Sequence, residues 1–410
     1  MSGQGAANST FGQRYGRVGL AFLHIGFNRG IRGTYGVFYV ALLQAFGWSR
    51  AVTAGALSVS ILLEGFSLPA VGSLIDRWGS RQTLLLGGLI LATGLGFSST
   101  ISTIWQLYFW VGGVTALGLG LMGMVPHVAI ISREFTKNRG LALGLAWAGG
   151  GFGIFLLIPL AQVLIEAWGW RLAYVGMAVL GILLVVLPSS IVMSRDEAAP
   201  TGKGTDKSAG STEAEADWTV AQALTSSLFW LLFLSRVVAS MGNQIITTHQ
   251  VAHAVDIGYT PLFAASIFGI MGVFSIFGRV LFGYLTDRTG REIVYTLVQV
   301  VSAAGIIALV LARNTTLPQL LYIYAVCYGL GQGSRALVLS AISADVFLGK
   351  NFGAIYGFFT LSIGVGGATG AWLGGFLHDL SGNYTIPFMI AFVNFIVSIV
   401  MVWCVRFLKR

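Results

Sequence analysis

Apolar residues run along this chain in long blocks, separated by short charged or turn-rich breaks. A bilayer core about 30 Å thick asks for about 20 apolar residues per helix. Twelve blocks meet that length: 17–45, 51–75, 82–99, 104–131, 139–165 and 171–193, then 227–252, 262–286, 292–312, 318–346, 352–378 and 385–407. Between the sixth and seventh lies a polar stretch from Ser194 to Asp217, rich in Pro, Gly, Ser, Thr and mixed charges, which reads as a flexible or partly helical linker. The pattern predicts an all-α polytopic membrane protein of twelve transmembrane helices. It has a six-helix bundle over 1–193, a linker over 194–226 and a second six-helix bundle over 227–410.

Composition agrees. Hydrophobic residues make up 55%, charged residues 10%, and the mean hydropathy is +0.80. A soluble domain carries about 25% charged residues, so this chain cannot cover a water-facing surface. Nucleic-acid modules, disordered proteins and secreted disulfide scaffolds are excluded at this step. The 56 glycines suit close helix approach in lipid. Cys327 and Cys404 lie in apolar runs without metal-ligand spacing, so neither a disulfide nor a metal site is expected. Residues 1–16 are polar and resemble no signal peptide, which leaves the first helix as an uncleaved insertion signal. No nucleophile elbow, phosphate-binding loop or metal cluster is present. The chain is expected to be neither an enzyme nor a self-contained ATP-driven pump, and to need no cofactor.

The two halves repeat. Gly72-Ser-Leu-Ile-Asp76-Arg77-Trp-Gly79-Ser-Arg81 follows the second block, and Gly283-Tyr-Leu-Thr-Asp287-Arg288-Thr-Gly290-Arg291 follows the eighth, 211 residues later. A second echo pairs Gly149-Gly150-Gly151-Phe152-Gly153 with Gly364-Val365-Gly366-Gly367. Such repeats mark transporters that rock one half against the other. The net charge of +9 sorts by loop: 16 Lys and Arg lie at the termini and on their side, against 3 (Arg50, Arg171, Arg313) on the other. That excess places both termini and the linker in the cytoplasm.

The doubled Gly-x-Leu-x-Asp-Arg-x-Gly loop, the six-plus-six layout and the central linker resemble the major facilitator superfamily over the whole chain. The resemblance implies two bundles around a central site open alternately to each side. It also implies a gate in which Gly72, Asp76, Arg77, Gly79 and Arg81, with Gly283, Asp287 and Arg288, clamp the bundles. Plain positive-inside anchoring of these basic residues is the competing reading. Tyr35-Gly36-Val37-Phe38 followed by Gly47-Trp48-Ser49-Arg50, Gly278-Arg279-Val280 on the eighth block, and His249 on the seventh are similar to the monocarboxylate porter and oxalate–formate antiporter branch.

Charge at membrane depth costs roughly 2.5–3.5 kcal/mol per group on insertion scales. Five arginines fall inside the blocks (Arg29, Arg32, Arg236, Arg279, Arg335), against a single mid-span carboxylate, Glu64. An anionic cargo would supply the missing charge. Arg279 sits eight residues before Asp287, hence about 12 Å above the helix end. Its planar fork suits a carboxylate, and in the resembled branch the matching arginine binds one. Arg32 and Arg335 are further anion ligands, each weighed against a structural role. Arg29 shares a face with Arg32, and Glu64 either pairs with one of them or carries a coupling proton. Arg236 reads as reaching back to the cytoplasmic surface. His249, Asn28, Tyr35 and Tyr356 are candidate substrate contacts. The eleventh block lacks the lysine that dicarboxylate members carry, which favours a monocarboxylate; Ser275 stands where some proton symporters have an aspartate.

The resulting expectation is a monomeric secondary active transporter moving a small organic anion, a monocarboxylate first of all, by alternating access. The cycle is expected to draw on a gradient and not on ATP, with a coupled proton or counter-anion as the further partner. The membrane is the plasma membrane, or the inner membrane if the chain is prokaryotic. Its partners are the cargo and the lipid, with no nucleic acid. The alternative is a carrier of a neutral or aromatic metabolite or drug on the same fold.

Overall fold

A computed structural model describes residues 11–135, 139–192, 218–347, 349 and 351–409. The expected linker residues 194–217 lie outside them. Among the described residues twelve long helical segments follow one another, and we number them α1 to α12. α1 is Phe11–Phe46. The run Arg50–Ser98 is broken only at Gly79, whose φ of 82° divides α2 (50–78) from α3 (80–98). α4 (104–134) begins on a Thr103/Gln106 capping box, passes through a π-helical stretch, Tyr108–Thr115, and is interrupted at Met122 and Gly123. Gly169, φ 77°, divides α5 (139–168) from α6 (170–192). After a short helix Val220–Thr225 come α7 Ser227–Asp256, α8 Pro261–Thr289, α9 Arg291–Leu311, α10 Gln319–Phe347, α11 Phe352–Ser381 and α12 Thr385–Lys409. Both glycine breaks sit where a side chain would strain the turn. Leu89, Ile191, Val280 and Val400 are exposed apolar residues of the kind a lipid-facing surface carries.

Glycine decides which helices touch. A Cβ on Gly153 of α5 would lie 1.8 Å from the carbonyl oxygen of Gly26 on α1. On α11 a Cβ at Gly366 would lie 2.1 Å from the Val237 carbonyl of α7. The glycine-rich echo in the sequence therefore marks the same contact twice: α5 against α1, and α11 against α7. In both, backbone meets backbone because no side chain intervenes.

The two bundles meet along α2 with α11 and α5 with α8. These contacts are close on the face opposite the chain ends, here called the far face. There a Cβ at Gly375 would come 2.6 Å from the Arg50 carbonyl. Toward the face that holds residues 11 and 409, the terminal face, they stop. The α2–α11 contact thins at Gly65 and Gly364, and beyond it Gly72, Gly353 and Gly357 have nothing within 4 Å of an added Cβ. The last bridge of α8 to α5 is made by Arg279 to Trp147. The molecule is closed at the far face and open at the terminal face.

Replacing Gly153 by valine forces α1 and α5 apart. It should destabilise the protein by more than about 3 kcal/mol, read as loss of folded, monodisperse protein in detergent. Gly144→Ala, on the same helix but with nothing within 4 Å, should stay within about 0.5 kcal/mol of the parent.

Candidate functional site

At the vertex where the bundles part, arginines converge. Arg279 of α8 reaches across the interface: its Nη1 donates to the Trp147 carbonyl at 2.9 Å and its Nε to the Gly333 carbonyl at 3.2 Å. Arg29 of α1 lies against the same turn of α5. A Cβ at Gly150, three residues after Trp147, would be 3.2 Å from the Arg29 Cγ. Arg29 is exposed, although its helix neighbours 24 to 28 and Gly30 are buried. Its Nη2 is 4.0 Å from the Met124 sulfur, a weak acceptor. Arg32, one turn further on α1, forms an ion pair with Glu64 of α2. A small cavity inside the first bundle opens beside that pair, lined by Arg32, Tyr35, Ser60 and Thr115 among others.

The other candidates are tied down within the protein. Arg335 (α10) is buried and donates to Gln299 Oε1 at 2.7 Å, Asn243 Oδ1 at 2.9 Å and Ser302 Oγ at 2.9 Å, with its guanidinium 4.1 Å from the Phe395 ring centroid. Asn28 donates to the Leu119 carbonyl at 2.8 Å, joining α1 to α4. Tyr35 donates to the Thr53 carbonyl at 2.5 Å, joining α1 to α2. Tyr356 shares a hydrogen bond of 2.6 Å with Ser340. Arg236 does not reach the surface as expected: it is 5% exposed, 4.7 Å over the Phe359 ring and 5.8 Å from that of Tyr356. A cation–π site within reach outweighs the stretch to water.

The far face is held by a network that sequence reasoning did not find. Asp379, at the end of α11, accepts the backbone N–H of Arg50 at 3.0 Å and of Ala51 at 2.8 Å. It thereby caps the first turn of α2 from the opposite bundle. The Arg50 side chain donates to Asp256 of α7 at 2.9 Å and to the Tyr384 hydroxyl at 2.5 Å. His378 Nε2 is 3.6 Å from the other Asp256 oxygen. Burial raises the Tyr384 phenol above its ordinary value, so it stays protonated. Its hydroxyl is 3.4 Å from His249 Nδ1. His249 Nε2 faces the Ala371 carbonyl at 2.9 Å; a carbonyl only accepts, so Nε2 carries the hydrogen. His249 is thus a buried strut under this network. The side-chain partners of Arg50 stand 206 and 334 residues from it in sequence, and no local pattern links them.

The doubled loops lie at the terminal face. Asp76 and Arg77 are exposed, while Arg81 donates to the Ser190 carbonyl of its own bundle at 3.0 Å. Gly290 has a φ of 91°, and the Arg288 guanidinium lies 4.4 Å from the ring of Tyr284 on the same helix. Gly283 and Gly72 border open space; the side chain of Asp287 lies outside the described residues. A second unanticipated feature is His24 of α1. Its Nδ1 is 3.2 Å from His127 Nε2 on α4, and its Nε2 is 3.3 Å from Ser189 Oγ on α6. His127 Nδ1 faces the Gly123 carbonyl at 2.8 Å, which fixes one hydrogen per contact along the chain. Isolated histidines in apolar blocks carried no sign of this pairing.

The sequence profile of the Major Facilitator Superfamily matches residues 21–315 and 232–410. Among curated proteins, monocarboxylate transporter 13 of Rattus norvegicus is 28% identical over 365 residues, 88% of this chain and 82% of that one. Monocarboxylate transporter 12 of Mus musculus is 26% identical, covering 93% of this chain and 83% of its own. Monocarboxylate transporter 2 of Homo sapiens is 28% identical, covering 91% and 81%. Among solved structures, a bacterial homologue of the human lysosomal transporter Spinster aligns with a TM-score of 0.72 at 14% identity, over 97% of this chain and 98% of that one. The nucleoside transporter NupG aligns with a TM-score of 0.75 at 13% identity, over 97% and 100%.

Asp379→Ala should strip the cap from α2 and weaken the far-face closure by about 0.5–2 kcal/mol. The readout is a cysteine at buried Ser58, whose hydroxyl now bonds the Ala368 carbonyl across the α2–α11 contact, with Cys327 and Cys404 replaced. Its labelling by a water-soluble maleimide from the far face should speed up in Asp379→Ala, and less in Asp379→Asn, whose amide oxygen still accepts.

Proposed function

The chain belongs to the Major Facilitator Superfamily, a family of multi-pass membrane transporters and not of enzymes, and on that footing we propose that it carries a small monocarboxylate across the plasma membrane by alternating access. Both termini lie in the cytoplasm by the Lys and Arg count, so the open face is the inward one. The observation that carries the reading is the vertex itself. Three arginines, Arg29, Arg32 and Arg279, converge where the opening ends, and Glu64 answers only one of them. A carboxylate entering from the cytoplasm would take the donors of Arg279 in place of backbone carbonyls, exchanging neutral acceptors for a charged one. The names of the relatives agree with a cargo of this class.

In this reading Arg335, Asn28, Tyr35, Tyr356 and His249 shape the cavity from behind and do not touch cargo. Glu64 takes the coupling proton. Its pair with Arg32 stands at the edge of the opening, each side chain partly exposed at 24% and 21%. Protonation would release Arg32 toward the anion, so a lower pH on the loading side favours binding. The doubled loops are disengaged in the inward-open form and would clamp the bundles once the terminal face closes.

Arg279→Ala should lower carboxylate uptake into proteoliposomes at least tenfold, with Arg279→Lys recovering only part of it because a point charge replaces a fork. Unchanged uptake of every carboxylate in a panel would end the proposal. For Glu64→Gln, uptake should lose its rise toward acid pH while the protein still folds; a pH profile like that of the parent would remove Glu64 from the coupling role.

A further inference from the structure

Arg335 is buried against neutral acceptors, and one of them, Asn243 of α7, has a second end to account for. Asn243 Oδ1 accepts from Arg335 Nη1 at 2.9 Å and from the Tyr328 hydroxyl at 3.1 Å. A guanidinium only donates, so it settles which end of the amide faces α10: the oxygen does, and the nitrogen points away. Among the described residues that nitrogen has no hydrogen-bond partner, yet it is not sealed from solvent as the Asn394 nitrogen is. Asn243 is half-buried. Asn243, Thr247 and Val251 follow at four-residue spacing along one side of α7. Thr247 Oγ1 donates to the Asn243 carbonyl at 3.0 Å, and Val251 meets the first bundle, where a Cβ at Gly36 of α1 would lie 3.6 Å from its Cγ2. That side of α7 therefore faces the opposite bundle, and Asn243 stands on it toward the terminal face, where the bundles part. On α10 the Gly333 carbonyl that receives Arg279 Nε is two residues from Arg335, about 3 Å along the helix axis. The amide and the Arg279 fork thus stand at one depth.

We propose that Asn243 is a specificity-determining residue of the cargo site, its amide N–H donating to an oxygen that the cargo carries beyond its carboxylate, and that Arg335 is the positioning residue that aims it. The proposal rests on the carboxylate reading above and deepens it: Arg279 binds what all carboxylates share, and Asn243 what only some carry. Tyr328 alone would not fix the amide, because a phenol accepts as well as donates. Turned over, the amide would offer its oxygen to the cavity. Arg335 forbids this, since an amide N–H would then meet a guanidinium N–H. A carboxylate bearing a hydroxyl or keto oxygen gains a hydrogen bond at Asn243. One with a bare hydrocarbon chain strips that donor of water and returns nothing, which is how a polar group in a site rejects a cargo lacking the matching atom.

The test uses the full chain in proteoliposomes, with lactate and pyruvate as probe carboxylates that carry the extra oxygen and propionate as the one that lacks it. Half-saturation of uptake is measured for each. The readout is the ratio of the propionate value to the other two, which cancels any general change in folding or anion binding. In the parent, propionate should need a concentration roughly threefold to tenfold higher, the effect of one neutral hydrogen bond. In Asn243→Asp the carboxylate keeps the contact with Arg335 but offers no N–H, and the preference should vanish. Arg335→Lys, which still donates to the amide oxygen, should keep the parent's preference, and Arg335→Met, which frees the amide to turn, should lose most of it. Because Asn243→Asp is isosteric and leaves Arg335 partnered, it decides the question even where Arg335→Met does not fold. If the parent treats all three alike, or if Asn243→Asp keeps the parent's preference, the proposal falls and the carboxylate reading stands. If the parent takes up none of the three, the carboxylate reading falls and the proposal with it.

Discussion

A guanidinium at membrane depth persists only where something answers it, and the five arginines inside the spans are answered in five ways. Arg335 is held by three neutral acceptors inside the second bundle, and Arg236 lies on aromatic faces. Arg32 has the mid-span carboxylate. Arg279 borrows backbone oxygens, one from each bundle, and Arg29 is left to the opening. The first two arginines are satisfied within one bundle and survive any movement of the halves. Arg279 depends on where the other bundle stands, since one of its two acceptors belongs to the first bundle. What sets Arg279 apart from Arg335 and Arg236 is that one of its partners does not travel with it.

The helices, their number and the pairing of halves could be read in the chain because hydrophobic thickness sets span length and glycine sets close approach. Gly149 to Gly153 and Gly364 to Gly367 appeared as a repeat before their meaning was visible; packing shows that both are the flat faces on which α1 and α7 rest. The arginine excess was legible for the same reason, since charge in an apolar block has no local excuse. The roles of single arginines were not. Arg236 and Arg335 look alike in sequence to Arg279, each a lone cation in an apolar run. Only the neighbours that folding brings up, Phe359 for one and Asn243, Gln299 and Ser302 for the other, tell them apart. The far-face network was invisible on the same grounds. Arg50, Asp256 and Asp379 read as ordinary loop charges until three chain segments more than 100 residues apart meet.

The two ends of the molecule are thus built on opposite electrostatic terms. At the far face a cation and two carboxylates meet across the bundles, and the α2 amides add a dipole in the same sense. That closure is complete without any ligand. At the vertex the cation Arg279 crosses the bundles to a neutral backbone carbonyl and not to a carboxylate. The terminal face stands open in the structure without any ligand. The carboxylate reading proposed above therefore rests on the vertex, where Arg279 and the Arg32–Glu64 pair stand, and not on the far face.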